Sequence, residues 1–394
     1  MDYLAAPLIF RIRKAARYVH LYGLQRTLVK IAGQYHMQRT YKVPPPPNPR
    51  PSAKAHVGIL GCGTFAYTVI AHILRKRYGA VIRGCMDIDL NHAASLCERY
   101  GASYYTTDAE KIISDPSIDT VFIASNHASH ADYAAQAIHA GKDVHIEKPH
   151  VVRDDQLQAL RKAMEQGPGR VLSIGYNRSR SRLGLLIKEA LCQETGELMQ
   201  SWFIAGHQLP EGHWYYSEAE GGRILGNLCH WVEFAYQVVP PERRFPIVVT
   251  PTRSKRSDCD IAVTYTFGDG SIAALTFSAK GHAFEGVKER YAAHRGDVLV
   301  VMDDFQSLRV DKRESVSRTY LWRRDRGHDA SIRSSYDLSR DRQAAGCSIE
   351  YVMDVGQLIL RTREALEASR SVTVDAWHAR PTVEASAPAR ARLP

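Results

Sequence analysis

The stretch His56-Val57-Gly58-Ile59-Leu60-Gly61-Cys62-Gly63-Thr64-Phe65-Ala66 constrains this chain more than any other. Val57 to Leu60 is a short apolar run suited to a buried parallel strand, and Thr64 to Tyr78 has the apolar spacing of a helix. The turn between them is Gly61-Cys62-Gly63, which makes strand, glycine turn, helix: the G-x-G-x-x-A form of a dinucleotide fingerprint. Gly61 permits the tight turn, Gly63 lets the backbone approach a pyrophosphate, and Ala66 lets the helix pack close to the strand. Thr64 and Phe65 open the helix, where free N–H groups and a positive dipole end favour phosphate.

A lone glycine string is weak evidence, so its surroundings decide. Val81–Met86, Ser103–Thr106, Thr120–Ala124, Asp143–Ile146 and Val171–Gly175 read as further strands. Between them Leu90–Tyr100, Ala109–Ser114, Ala131–Ala140 and Asp155–Gln166 read as helices. Such alternation predicts a Rossmann-type, doubly wound parallel sheet covered on both faces. Asp87 ends the second strand 21 residues beyond Ala66, where a carboxylate accepts from both ribose hydroxyls and repels a 2′-phosphate. NAD is therefore expected in preference to NADP. The competing role for Asp87, capping the next helix, suits Asp89 better.

Beyond residue 176 the period changes to that of longer, alternating strands: Met199–Ala205, Ile261–Phe267, Ile272–Ser278, Arg290–His294 and Val298–Met302. Phe267-Gly268-Asp269-Gly270 makes a hairpin turn. These predict an α+β domain with an open, largely antiparallel sheet, followed by a helix over Ser348–Ser369. The expected organisation is a basic arm and Pro-rich linker (1–53), a dinucleotide domain (54–175), a substrate and oligomerisation domain (176–375) and a C-terminal tail (376–394) whose end, Ala385–Pro394, is expected to be disordered.

The net charge of +10 suggests nucleic acid until it is located. Residues 1–50 hold nine Lys and Arg against one acid, Asp2, so the body is nearly neutral and no nucleic-acid face is expected. Within residues 1–43, Leu8, Ile12, Ala15, Val19 and Tyr22 recur at helical spacing; Gly23 interrupts, and Leu24, Leu28 and Ile31 follow. Such a basic amphipathic piece fits contact with an anionic membrane surface, and equally an arm packed on the body or on a neighbouring subunit. Pro44 to Pro47, then Pro49 and Pro51, form a spacer. Seven scattered cysteines without a C-x-x-C pair point to a reducing cytoplasm, possible contact with the inner face of a membrane aside. No secretory leader or spanning helix is expected.

Residues able to carry chemistry gather after the strands. They are Asn126-His127-Ala128-Ser129-His130, His145-Ile146-Glu147-Lys148-Pro149, Gly175-Tyr176-Asn177-Arg178, and Gly226-Asn227-Leu228-Cys229-His230-Trp231-Val232-Glu233. In that order, and most specifically through Glu147-Lys148-Pro149, the chain from about 55 to 375 resembles the glucose–fructose oxidoreductase / inositol dehydrogenase (Gfo/Idh/MocA) family of NAD(P)-dependent oxidoreductases. The resemblance implies a dehydrogenase acting on CH–OH groups, with Lys148 and His230 catalytic and with Asn126, His130, Glu147, Lys148 and Tyr176 at the cofactor. It also implies Asn177, Asn227 and His230 at the substrate, and a homo-oligomer, dimer or tetramer. At the end of a central strand an ammonium can hold a substrate hydroxyl and stabilise a developing alkoxide. If partly desolvated it can lose its proton and act as a base, so Lys148 ahead of His230 is expected to handle the hydroxyl proton. The chain departs from the family at Gly226, where many members place an aspartate that orients the histidine. Glu233, three residues after His230, offers itself as a substitute.

Gln208 to Tyr216 forms a loop rich in aromatics; Trp214 and Tyr215 suit stacking on a sugar or nucleotide, and the loop equally suits packing at a subunit interface. His127 and His130 lack a third ligand, so no metal is expected. The leading expectation is NAD-dependent oxidation of a secondary alcohol on a sugar, nucleotide sugar or cyclitol. An NAD-dependent glycosidase with an internal redox cycle and a non-catalytic NAD-binding sensor are the alternatives.

Overall fold

The computed structural model describes residues 3–47, 52–167, 170–207, 209, 212–253, 260–281, 284, 286–341 and 346–377. Six strands form the first sheet: β1 (Val57–Leu60), β2 (Ile82–Met86), β3 (Tyr104–Thr106), β4 (Thr120–Ile123), β5 (Asp143–Ile146) and β6 (Leu172–Ile174). Their order is β3-β2-β1-β4-β5-β6 and every pairing is parallel. The chain runs outward from β1 to β3, then restarts on the other side of β1 at β4. That reversal opens a crevice at the carboxyl ends of β1 and β4, where ligands bind in such sheets. Every residue of β1 and β4 is buried, as a strand covered on both faces requires.

The second sheet has nine strands: β7 (Met199–Ala205), β8 (Ile247–Arg253), β9 (Asp260–Thr266), β10 (Ile272–Ser278), β11 (Lys288–Arg295), β12 (Val298–Asp303), β13 (Ser307–Lys312), β14 (Ser315–Tyr320) and β15 (Val372–Val374). Their order is β14-β13-β12-β11-β7-β10-β9-β8-β15. All pairings are antiparallel except β7 with β10; hairpins link β11 to β14 and β8 to β10, whereas the centre at β7 and the edge at β15 are paired over long range. Hairpins are local, whereas β7 pairs with strands reached only after a long excursion. One face packs on helices; along β7, Gln200, Trp202 and Ile204 point into the core while Met199, Ser201 and Phe203 point out.

The helix expected over 64–78 contains a π turn, Ala66–Ile70, before it continues as Ala71–Tyr78. The arm packs against this turn. Its two helices, Leu8–Tyr22 and Leu24–His36, are broken at Gly23 (φ 84°), and the second lies directly on the π turn. A Cβ at Gly33 would come within 2.3 Å of Thr68, and Arg26 donates to the Thr68 carbonyl. Thr68 Oγ1 in turn donates to the Thr64 carbonyl at 2.8 Å. His36 closes the contact: Nε2 is 2.7 Å from the Cys62 carbonyl, Nδ1 is 2.9 Å from Ser95 Oγ, and the ring stacks on Tyr67 at 4.1 Å. At its other end the arm's Tyr22 hydroxyl accepts from Arg324 at 3.1 Å, and the Leu21 carbonyl accepts from the Arg324 N–H at 2.9 Å. Of the two expected roles, packing on the body is thus seen directly. Pro49, Pro51 and the tail 385–394 lie outside the described residues. Among the described residues no helix is long and apolar enough to cross a membrane.

Candidate active site

At the crevice a cleft of about 680 Å³ opens, and a much smaller cavity of about 20 Å³ adjoins it. Gly61, Gly63, Thr64, Phe65, Asp87, Asn126, His130, Glu147, Lys148, Trp214, Tyr215 and Asn227 line the cleft. Asn177 and His230 line the small cavity, and Phe65, Glu147 and Lys148 form a wall common to both. Most of the expected site residues therefore lie around these two spaces, and two lie outside them. Ala66 is fully buried beneath the glycine turn and lines neither space, in keeping with its packing role. Tyr176, expected at the cofactor, is only 2% exposed and lies in the core, its hydroxyl 3.3 Å from His150 Nδ1.

The glycine turn has the shape of a phosphate cradle. Gly61 takes φ 87°, and a Cβ there would lie 2.4 Å from the Ser125 nitrogen. At Gly63 a Cβ would meet nothing within 4 Å, so the backbone is open to the cleft. The Asp87 carboxylate accepts from the Cys62 N–H at 2.7 Å and from the Asp89 N–H at 2.9 Å. Burial works to raise the Asp87 pKa, but His92 and these two N–H groups outweigh it and hold the carboxyl below its usual range. Asp89 takes the capping role, accepting from the Asn91 N–H. The residues present thus fit a dinucleotide: open backbone for the pyrophosphate and an ionised carboxylate for the ribose.

The β4 loop is tied down by the second domain through Glu220, which sequence inspection misses. Asn126 Nδ2 donates to Glu220 Oε1 at 2.7 Å, the Ala128 N–H to Oε2 at 3.2 Å, and His127 Nδ1 lies 3.0 Å from the Glu220 carbonyl. His130 braces the same region, with Nδ1 2.8 Å from the Pro149 carbonyl and Nε2 3.2 Å from that of Ser125. Beyond β5 the Lys148-Pro149 bond is cis, and the ammonium donates to the Gly226 carbonyl at 2.8 Å. Glu147 lies 3.1 Å from His145 Nε2, and His145 Nδ1 lies 2.8 Å from Ser335 Oγ.

Gly226 belongs to a second π turn, Ile224–Leu228, which leads into the helix Cys229–Gln237 carrying His230. A Cβ at Gly226 would meet His127 Cε1 at 2.7 Å and Tyr215 Cε2 at 2.9 Å. His127 packs against Tyr215 at 4.7 Å and Trp214 at 4.8 Å between ring centroids, so these rings fill the place an aspartate would need. The substitute offered for it fails: Glu233 accepts from Ser179 at 3.2 Å and Tyr351 at 2.8 Å, with no hydrogen bond to His230. His230 Nδ1 has no hydrogen-bond partner among the described residues. Burial pushes the His230 pKa well below its ordinary value, helped by Arg178, Lys148 and His328, so the ring is neutral.

His328 and Ser331 complete the small cavity and carry no sequence signal. They open the helix His328–Arg340 after Gly327, where φ is 81° and a Cβ would sit 2.0 Å from the Asn177 carbonyl. Only glycine allows that approach, and the approach brings His328 beside Asn177. Behind them lies a buried ion network. Arg178 makes two 3.2 Å hydrogen bonds to Glu289, Trp231 Nε1 donates to Glu289 at 2.8 Å, and Arg326 pairs with both Glu289 and Asp304. Every carboxylate here is paired, as burial demands. The same positive groups, after burial itself, keep the His328 pKa well below normal.

Comparisons with known proteins agree with this geometry. The model of an oxidoreductase family with an NAD-binding Rossmann fold (GFO_IDH_MocA) matches residues 55–176. Oxidoreductase P35 of Formosa agariphila is 31% identical over 134 residues, 34% of this chain and 41% of the relative. Inositol 2-dehydrogenase 3 of Saccharopolyspora erythraea is 30% identical over 122 residues, 31% of this chain and 36% of the relative. The chain thus spans less than half the length of these two relatives. A levoglucosan dehydrogenase solved with NADH and levoglucosan shares the fold, with a TM-score of 0.68 at 16% identity over 81% of this chain and 99% of that one. Residues 55–176 thus match the NAD-binding Rossmann domain of the glucose–fructose oxidoreductase / inositol dehydrogenase (Gfo/Idh/MocA) oxidoreductases, and most of the chain shares the fold of the levoglucosan dehydrogenase.

Proposed function

We propose that the chain is an NAD-dependent dehydrogenase that oxidises a secondary alcohol of a sugar, nucleotide sugar or cyclitol. The observation that carries this is the wall of Glu147 and Lys148 between the two spaces: the cleft with Gly61, Gly63 and Asp87 on one side, the cavity with His230 and Asn177 on the other. Asp87 supports NAD over NADP in this reading, since its carboxylate, held below its usual pKa range, would repel a 2′-phosphate. When bound, the nicotinamide supplies the hydride acceptor.

The chain's own residues would then handle the oxygen. The small cavity has room for about one water, the size of a hydroxyl rather than of a sugar ring. In this reading the ring lies in the cleft against Trp214, Tyr215 and Asn227, and its reacting hydroxyl reaches in past Lys148. The ammonium, held at the Gly226 carbonyl, donates to the developing alkoxide. His230, kept neutral by burial, accepts the hydroxyl proton, while Asn177 and His328 orient the oxygen. The outward face of the second sheet carries Met199, Phe203, Leu299 and Val301, each 43–59% exposed. A second copy of the chain covering that face would make the expected homo-oligomer.

Turnover screening of nucleotide sugars, free sugars and cyclitols with NAD and NADP in parallel tests the proposal. It predicts NADH formation with at least one class and a preference for NAD. Firm NAD binding with no turnover across the panel would contradict it.

A further inference from the structure

The arm's two helices turn their apolar sides outward. At about 100° per residue, Leu8, Ile9, Ile12, Arg13, Ala16, Val19 and His20 span an arc of about 140°, and all seven are exposed. Leu8 is 64% exposed, Ile9 67% and Ile12 59%. On the second helix Leu24 and Leu28, 60% and 56% exposed, occur with Tyr35 along one narrow stripe. Trp322, 76% exposed, extends the patch, its ring 6.5 Å from that of His20. A soluble helix ordinarily buries such a stripe. Here the inward sides are already occupied, by Tyr22 at Arg324, Arg26 at Thr68 and His36 at Cys62. The outward orientation is therefore built in.

We propose that this face docks on an anionic lipid bilayer. Residues 3–43 contain eight Lys and Arg and no acid. Arg26 turns inward, burial lowers the Lys30 pKa to about 7 and Arg39 pairs with Glu98, while Arg13 lies inside the exposed arc and Lys42 is exposed. A second copy would bring two such cationic arms together, whereas an anionic surface attracts them. Apolar residues inserting at the headgroup level, basic residues around them and an indole at the margin make an interfacial anchor. Because the same helices grip the glycine turn through His36 and the second domain through Tyr22, docking would also set the orientation of the cleft to the surface.

Sedimentation of the full chain with vesicles tests this, using phosphatidylcholine alone or mixed with phosphatidylglycerol. The protein should partition onto the mixed vesicles roughly tenfold better than onto neutral ones, and added salt should release it. Replacing Leu8, Ile9 and Ile12 together by serine should lower partitioning at least tenfold, roughly as expected for three lost apolar insertions. Arg13→Glu should weaken it by several-fold, roughly one charge's attraction reversed. All four side chains are exposed, so the unfolding temperature of each variant should match that of the parent. Equal partitioning of parent and triple variant, or of neutral and anionic vesicles, would overturn the proposal. So would a parent that ignores vesicles but loses self-association in the triple variant, which would make the face an interface between copies.

Discussion

Lys148 of the first domain donates a 2.8 Å hydrogen bond to the carbonyl of Gly226 in the second, so the turn after β5 and the second π turn meet at one atom pair. The absence of a side chain at Gly226 lets His127 and Tyr215 close over it. Gly226→Asp would introduce a side chain here, yet its Cβ would have to displace rings at 2.7 and 2.9 Å. We expect a loss of about 1–3 kcal/mol in stability and reduced turnover rather than a gain. Urea unfolding and steady-state kinetics of the variant check both.

Asp87 bonds the Cys62 and Asp89 N–H groups while facing the cleft. Asp87→Ser removes the charge that opposes a 2′-phosphate. The ratio of NAD to NADP affinity should fall roughly ten- to a hundredfold, as for a lost charged hydrogen bond and a lost repulsion. Fluorescence titration with both dinucleotides measures it, and an unchanged ratio would remove Asp87 from the specificity argument.

His36 ties the arm to the glycine turn at the Cys62 carbonyl. In His36→Ala that carbonyl and Ser95 lose a partner, and the turn is held less firmly. NAD affinity should weaken by roughly three- to tenfold, about the worth of one hydrogen bond. Calorimetric titration of the variant tests this; unchanged affinity would show that the clamp is structural only.

His150 is fully buried, 3.1 Å from the Val352 carbonyl, and burial lowers its pKa to about 4. In the unfolded chain its value is roughly the ordinary 6.5. The unfolded chain therefore binds the extra proton first, so stability falls as pH drops below about 6.5 and levels off below about 4. At about pH 5 the cost is about 2 kcal/mol. His150→Asn lacks this term, so the stability gap between parent and variant should narrow by that amount between about pH 7.5 and 5. Urea unfolding at the two pH values measures the gap.

What the sequence reveals depends on range. Gly61, Gly63 and Asp87 are legible because a turn and the end of a neighbouring strand impose local requirements on residue type. Lys148 is legible because it follows a strand in a recognisable tripeptide. Glu220 and His328 reach the site from segments whose approach depends on tertiary packing, Glu220 under the β4 loop and His328 behind Gly327 against Asn177. Tyr176 illustrates the converse. It follows β6 as a cofactor ligand might, but its side chain turns into the core, a choice of direction that strand spacing does not encode. The apolar periodicity of the arm correctly marks two helices and says nothing of which side faces out, since that depends on what Arg26, His36 and Tyr22 find to hold.

The central claim is that Lys148 serves the chemical step rather than the architecture. Rapid-mixing absorbance of NADH formation, comparing the parent chain with Lys148→Met at saturating NAD and substrate, tests it most directly. The account predicts NAD affinity within a few-fold of the parent and a hydride-transfer rate lower by roughly 10²–10⁴. A variant that binds NAD normally and transfers hydride at the parental rate would contradict it.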